Sequence, residues 1–378
     1  MEYPLTRSSR LGRRVSLASL ALSALLIAAC GSSTAGNTPT VTPPAAPSPT
    51  ATATYSPAAT ETDTPGPTAT PDTRPVLPVT TYQLGASDTV RGMAAGPDGA
   101  LWYMSFDQGA NGVHSATVGR VSMSGMVTRY PLPDPSSAPT AITSGPDGVL
   151  WFIDSRGIGG AIGRITTTGA VKEYPLPVAQ GQSASQFGGL GAAPDGALYF
   201  TWNRQGNVMN QWFIGRITAS GAIAKYSIPD SASGLTVGKD GNLWVSLQSA
   251  VGRMTTAGVW TEFHCSIELT SITTGHDGNV WFIGFNGDAN QDAVGRITTT
   301  GAITIYLGPF ALGRGNIVFG PDGALWYQSD KGDTVSVERA TVTGAFSEYR
   351  TVLDGPLAIG PGGKLWAGGN GVVERINI

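Results

Sequence analysis

A chain of 378 residues with 52 Gly, 26 Pro and only 13% charged side chains is too rich in turn formers for a helical bundle. It reads as a mostly β protein joined to a low-complexity part. The formal charge of −3 leaves no basic excess for phosphates, so nucleic acid is not an expected partner, and three His with two Cys are too few for a Cys/His zinc cage.

Arg7, Arg10, Arg13 and Arg14 precede an uncharged apolar run over 15–29, too short to span a bilayer and laid out as a secretory signal peptide. The run ends Leu26-Ile27-Ala28-Ala29-Cys30-Gly31, which resembles a bacterial lipobox. The resemblance implies cleavage before Cys30, acylation of its thiol, and an extracytoplasmic protein anchored by lipid to the bacterial cell envelope. Residues 30–78 follow as a stalk: Thr, Pro and Ala fill 31 of the 45 positions from 31 to 75, with one aromatic, Tyr55. Such a segment buries too little apolar surface to offset its ordering entropy, so disorder is expected.

Residues 79–378 repeat. Asp98-Gly99, Asp147-Gly148, Asp195-Gly196, Asp240-Gly241, Asp277-Gly278 and Asp322-Gly323 each stand three residues before Trp or Tyr, and Gly362-Gly363 before Trp366 is a degenerate seventh copy. The glycines recur every 37 to 49 residues, the period of a four-stranded propeller blade. A second signature follows in each unit (Gly119-Arg120, Gly163-Arg164, Gly215-Arg216, Gly252-Arg253, Gly295-Arg296, then Glu338-Arg339 and Glu374-Arg375), and a third glycine lies six residues beyond the first six. Each unit reads as strand a, Asp-Gly turn, strand b, longer loop, strand c, Gly turn, strand d. The seventh unit ends after strand c, whereas residues 79–84 resemble a strand d. The expectation is an all-β, seven-bladed propeller, a monomer, closed by the N-terminal strand pairing with the C-terminal blade. The strand-b Trp residues are expected to pack between blades.

The a–b and c–d turns keep one length, while the distance from the strand-b aromatic to the strand-c Gly or Glu varies from 8 to 17. The b–c and d–a loops therefore mark the candidate binding face. The strand-a segments, which line the channel, carry no carboxylate or imidazole. Arg91, Glu268, Arg314 and Asp354 stand at strand-a entries, where they either ring the channel mouth or are solvated rim charges.

Ile162-Gly163-Arg164-Ile165-Thr166-Thr167-Thr168-Gly169, with Glu173-Tyr174-Pro175 and Ile142-Thr143-Ser144-Gly145-Pro146-Asp147-Gly148, resembles the blade consensus of the streptogramin B (virginiamycin B) lyase family. The resemblance implies opening of a cyclic depsipeptide by elimination, with an imidazole base at a strand-a entry and Mg²⁺ held by nearby Glu. The positions matching that His hold Arg91, Thr140, Gly188, Ser233, Thr270, Gly315 and Gly355 (or Leu357). Those matching the Glu hold Ser105, Asp154, Trp202, Leu247, Gly284, Ser329 and Gly369, so Asp154 alone keeps a carboxylate.

No catalytic residue is thus expected, and the ligand-binding candidates are Arg91, Asp154, Glu268 and Arg314. His264, Cys265 and Glu268 on one loop, and Asp288, Asn290 and Asp292 in a half-calcium-loop pattern, are weak metal candidates. His114 falls in the longest b–c loop and His276 in an a–b turn. The function expected is a module binding a small molecule, glycan or protein, without cofactor. The alternative is a divergent carbon–oxygen lyase of the streptogramin type using Mg²⁺.

Overall fold

The computed structural model describes residues 2–3 and 73–378, apart from 109–113, 157–158, 179–182, 206–210, 309–312, 331–334 and 352. The signal-peptide run, Cys30 and the Thr/Pro/Ala-rich stretch lie outside the described residues. Among the described residues seven sheets follow in chain order, the first six built around four consecutive antiparallel strands. Blades 1 to 6 cover 88–131, 139–175, 183–228, 232–264, 268–307 and 313–350; blade 7 combines 357–376 with Val79–Gln83. Glu2–Tyr3 adds a two-residue parallel bridge to the outer strand of blade 3, Ile223–Ile228.

The two signatures, far apart in sequence, form one object. In blade 1 the Asp98 carboxylate accepts hydrogen bonds from the Trp102 indole at 2.9 Å and the Ala100 amide at 3.3 Å, while its other oxygen takes the Arg120 guanidinium at 2.6 Å. Asp147–Trp151–Arg164 and Asp322–Trp326–Arg339 repeat the knot, and in blade 3 the Tyr199 hydroxyl replaces the indole on Asp195. In blades 4 and 5 the indoles of Trp244 and Trp281 still donate to Asp240 and Asp277. Arg253 and Arg296 lie over those rings at 5.6 and 5.8 Å while bonding the Thr299 carbonyl and the Thr304 hydroxyl rather than the Asp. Burial disfavours ionised Asp98 and Asp322, yet the hydrogen bonds from indole and guanidinium outweigh it and hold both carboxyls below their usual range. The seven blade-repeat aromatics are buried as expected. Blade 7 lacks the Asp, and the buried Trp366 Nε1 has no hydrogen-bond partner among the described residues.

In blades 1, 2, 4, 5 and 6 the strand-d aromatic stacks on its own blade's Trp, as with Tyr130 on Trp102 at 5.6 Å, Tyr174 on Trp151 at 5.7 Å and Tyr349 on Trp326 at 5.6 Å. In the first four of these the ring then slides under the c–d turn of the next blade. There Gly169, at φ 93°, leaves room that a Cβ would lose, since it would lie 2.2 Å from Tyr130. This contact ties blade to blade around the ring.

Closure is as the sequence predicts. Val79–Gln83 pairs antiparallel with Val372–Ile376, Thr80 opposite Arg375 and Tyr82 opposite Val373. Tyr82 packs on Trp366 at 5.2 Å and sits 3.6 Å from where a Cβ on Gly125 of blade 1 would be. The propeller's grip on the chain starts before Val79. The Arg74 guanidinium binds Glu348 at 2.6 Å and the Ser336 hydroxyl at 3.0 Å, the Pro75 carbonyl accepts the Arg350 amide, and Leu77 is buried with Trp326, Val337 and Leu353. Residues 74–78 thus strap blade 6 to blade 7.

Candidate functional site at the channel mouth

A cavity of about 670 Å³ opens where the strands a begin, on the side of the d–a and b–c loops. Its position follows from a repeated irregularity. In four blades one residue of strand a is squeezed out of the ladder: Arg91 between Val90 and Gly92, Thr140 between Pro139 and Ala141, Ser233 between Ala232 and Gly234, Thr270 between Leu269 and Ser271. In blades 3 and 6 the register jumps across Gly188-Gly189 and across Gly315 to Ile317. A bulge re-aims the side chain it carries and is a recurrent device beside binding sites. Arg91, Thr140, Gly188, Gly315 and Gly355 line the cavity, whereas Ser233 turns its hydroxyl to Ser246 Oγ at 2.9 Å and the Leu269 carbonyl at 3.1 Å.

Charge is sparse among the described lining residues: only Arg91 and Asp354 carry it, on the neighbouring blades 1 and 7, and both are exposed. Neither side chain makes a hydrogen bond or ion pair with a described residue. Aliphatic side chains line it all round, Ile142, Leu190, Leu235 and Ile272 from blades 2 to 5, and Met93, Ile317 and Leu357 from blades 1, 6 and 7. Asn316 is already engaged, its amide bonded to the Leu357 carbonyl and amide. Ser329, at the end of strand b of blade 6 (Leu325–Asp330), lines the cavity, and its buried Oγ has no partner among the described residues.

A family model described as the virginiamycin B lyase family matches residues 73–268 and 231–376, nearly all of the repeat region. The chain belongs to the virginiamycin B lyase family. A catalytically inactive His-to-Ala variant of virginiamycin B lyase from Staphylococcus aureus, solved with quinupristin, is 27% identical with a TM-score of 0.66, over 80% of this chain and 99% of that one. A streptogramin B lyase structure is 23% identical with a TM-score of 0.64, over 80% and 97%. YCF48 bound to D1 peptide shares the fold at 15% identity and a TM-score of 0.51, over 82% and 100%. No curated protein sequence matches the chain.

Within this family member the other sequence candidates fall apart spatially. Asp154 is fully buried: its Oδ1 accepts the Ala138 and Arg156 amides at 2.7 and 3.2 Å, and its Oδ2 faces Arg156 Nε at 3.1 Å. Arg156 also binds Asp134 at 2.6 Å and Glu173. Asp154 therefore anchors the loop entering blade 2, through a partner that the repeat signatures do not reveal. Asp134 is pulled down to about 2, first by the Ser136 hydroxyl, then by the Ser136 amide and Arg156.

Glu268 is exposed and lies outside the cavity lining; Arg314 is placed by its backbone, opposite Gln328. His264 is exposed, 3.9 Å from Glu262, and the Cys265 thiol donates to the Ile267 carbonyl, so the two point to different partners. Asp288 and Asn290 are exposed at a hairpin tip, with Asn290 at φ 52° and the Asn286 side chain accepting the Ala289 amide, while Asp292 is buried in the strand behind. His276 packs its ring on Phe319 at 4.9 Å, and His114 opens strand c of blade 1. Among the described residues no three His, Cys, Asp or Glu side chains gather as a metal site.

The donors at the mouth do not fit the Mg²⁺ that the family resemblance implies. That cation takes about six oxygen ligands, commonly one or two of them carboxylates, and a guanidinium beside the site repels it. Here one carboxylate, Asp354, shares the described lining with a guanidinium.

Proposed function

We propose that this virginiamycin B lyase-family propeller is a ligand-binding module held at a bacterial envelope surface by lipidated Cys30, and that it does not open streptogramins. The observation carrying this reading is the channel mouth: a cavity of ligand size whose five entry residues, Arg91, Thr140, Gly188, Gly315 and Gly355, include no imidazole and no carboxylate. Elimination across an ester needs a group to take the α-proton, and a positioned base supplies about 10²–10⁴-fold in rate. No His lines the cavity among the described residues, and Asp154, the surviving carboxylate at the Glu position, is sealed against Arg156.

The test is incubation of the purified mature protein with quinupristin and Mg²⁺ at neutral pH, following the intact cyclic compound by chromatography. No loss above the protein-free control is expected. Turnover abolished by a chelator would overturn the reading in favour of a divergent lyase.

A further inference from the structure

The mouth is polarised. Both of its described charges sit on one side, at the entries to blades 7 and 1, while the aliphatic lining runs all round the channel, with Ile142, Leu190, Leu235 and Ile272 on blades that carry no described charge. The described arginines elsewhere are mostly committed: Arg74, Arg120, Arg129, Arg156, Arg164, Arg216 and Arg339 each hold a carboxylate. Arg91 differs in being exposed, carried on a bulge into a cavity, and without a carboxylate of its own. A guanidinium presents a rigid fork of N–H donors that matches a carboxylate in two parallel hydrogen bonds. The buried Ser329 hydroxyl, unpartnered among the described residues, supplies a further donor on the same arc.

Resting on the ligand-binding reading, we propose that the channel mouth takes a small monocarboxylate with an apolar body. Its carboxylate is held by Arg91 and its hydrocarbon lies against Ile142, Leu190, Leu235 and Ile272. Asp354, on the neighbouring blade, sets the limit on charge: a second anionic group near the first meets a fixed carboxylate, so phosphate and polycarboxylates are disfavoured.

The experiment uses N-acetyl-leucine as the probe, N-acetyl-leucinamide as its neutral counterpart and inorganic phosphate as the anion control. Binding to the mature protein is followed by ligand-detected saturation-transfer NMR and calorimetry. N-acetyl-leucine is expected to bind at least tenfold more tightly than the amide or phosphate, to lose that advantage in Arg91→Ala, and to gain affinity in Asp354→Asn. The thermal midpoint of Arg91→Ala should match wild type, because this exposed side chain supports no described contact. Equal binding of acid and amide, or an unchanged preference in Arg91→Ala, overturns carboxylate recognition while leaving a binding mouth. Absence of N-acetyl-leucine binding overturns it as well, and turnover of quinupristin separately removes the underlying reading.

Discussion

The Tyr82 ring lies 5.2 Å from that of Trp366, so the first strand of the propeller fills the aromatic slot of its last blade. In blades 1, 2, 4 and 5 the strand-d ring meets its own blade's Trp and the next blade's Gly turn. Tyr82 does both for the seam between blades 7 and 1.

Tyr82→Ala should therefore loosen two blades at once. A half-buried aromatic in such a slot is worth about 2 kcal/mol, below the 3–5 of a fully buried one. Urea denaturation should show the loss, with Tyr82→Phe near wild type. An unchanged midpoint for the Ala variant would mean that the seam is held by backbone pairing alone.

The Asp–Trp–Arg knot makes a prediction on the opposite face. Asp322→Ala leaves the Trp326 indole and the Arg339 guanidinium without their acceptor, which should cost about 2 kcal/mol. Probe binding at the mouth should stay as in wild type. A large affinity change in a variant that remains folded would show that the two faces are coupled.

Acid stability follows from the same carboxylates. Asp98, Asp195 and Asp322 are held below their ordinary range, and Asp134 at about 2. Groups depressed on folding contribute stability that is fully present above the unfolded value of about 3.9 and is lost as pH falls through the folded values. Urea midpoints should be flat in this respect above roughly pH 5 and fall between about pH 4 and 2. Asp322→Asn should reduce that slope, and an identical slope would remove this aspartate from the account.

Arg156 tests the role of Asp154. Arg156→Ala leaves a fully buried carboxylate without its cation, for which about 3–5 kcal/mol is the usual loss. Adding Asp154→Asn should recover part of it, and failure of the second change to help would place the stabilisation on Asp134 and Glu173 instead.

Anchoring is testable at one atom. Cys30→Ser should abolish metabolic palmitate labelling and release the protein from the membrane fraction, as the lipobox-like run implies. Undiminished labelling of the Ser variant would dismiss Cys30 as the lipidated residue.

The propeller was legible because its signatures are paired partners. Asp98 needs Trp102 four residues on and Arg120 across the blade, so one knot writes three marks into a repeat, and blades 1, 2, 3 and 6 carry the complete set. Closure was legible because Tyr82 repeats a strand-d pattern. The strap over 74–78 was not, since it occurs once, has no period, and takes its meaning from Glu348 and Ser336 at the far end of the chain. The same holds for Asp154: a carboxylate in a candidate position reads as free until the nonrepeating Arg156 is seen against it. The bulges at Arg91, Thr140, Ser233 and Thr270 left no mark in residue type, because a bulge is a matter of register.

The strap also decides how the domain bears mechanical load. Tension arriving through the residues before Arg74 reaches blade 6 first, at the Glu348 ion pair and the Val76–Arg350 bridge, and only then the closing strand of blade 7. Beyond it, Val79–Gln83 is pulled along its own axis against Val372–Ile376, so its ladder hydrogen bonds resist together in shear rather than unzipping one by one. Residues 74–78 therefore stand between that ladder and any pull on the preceding chain.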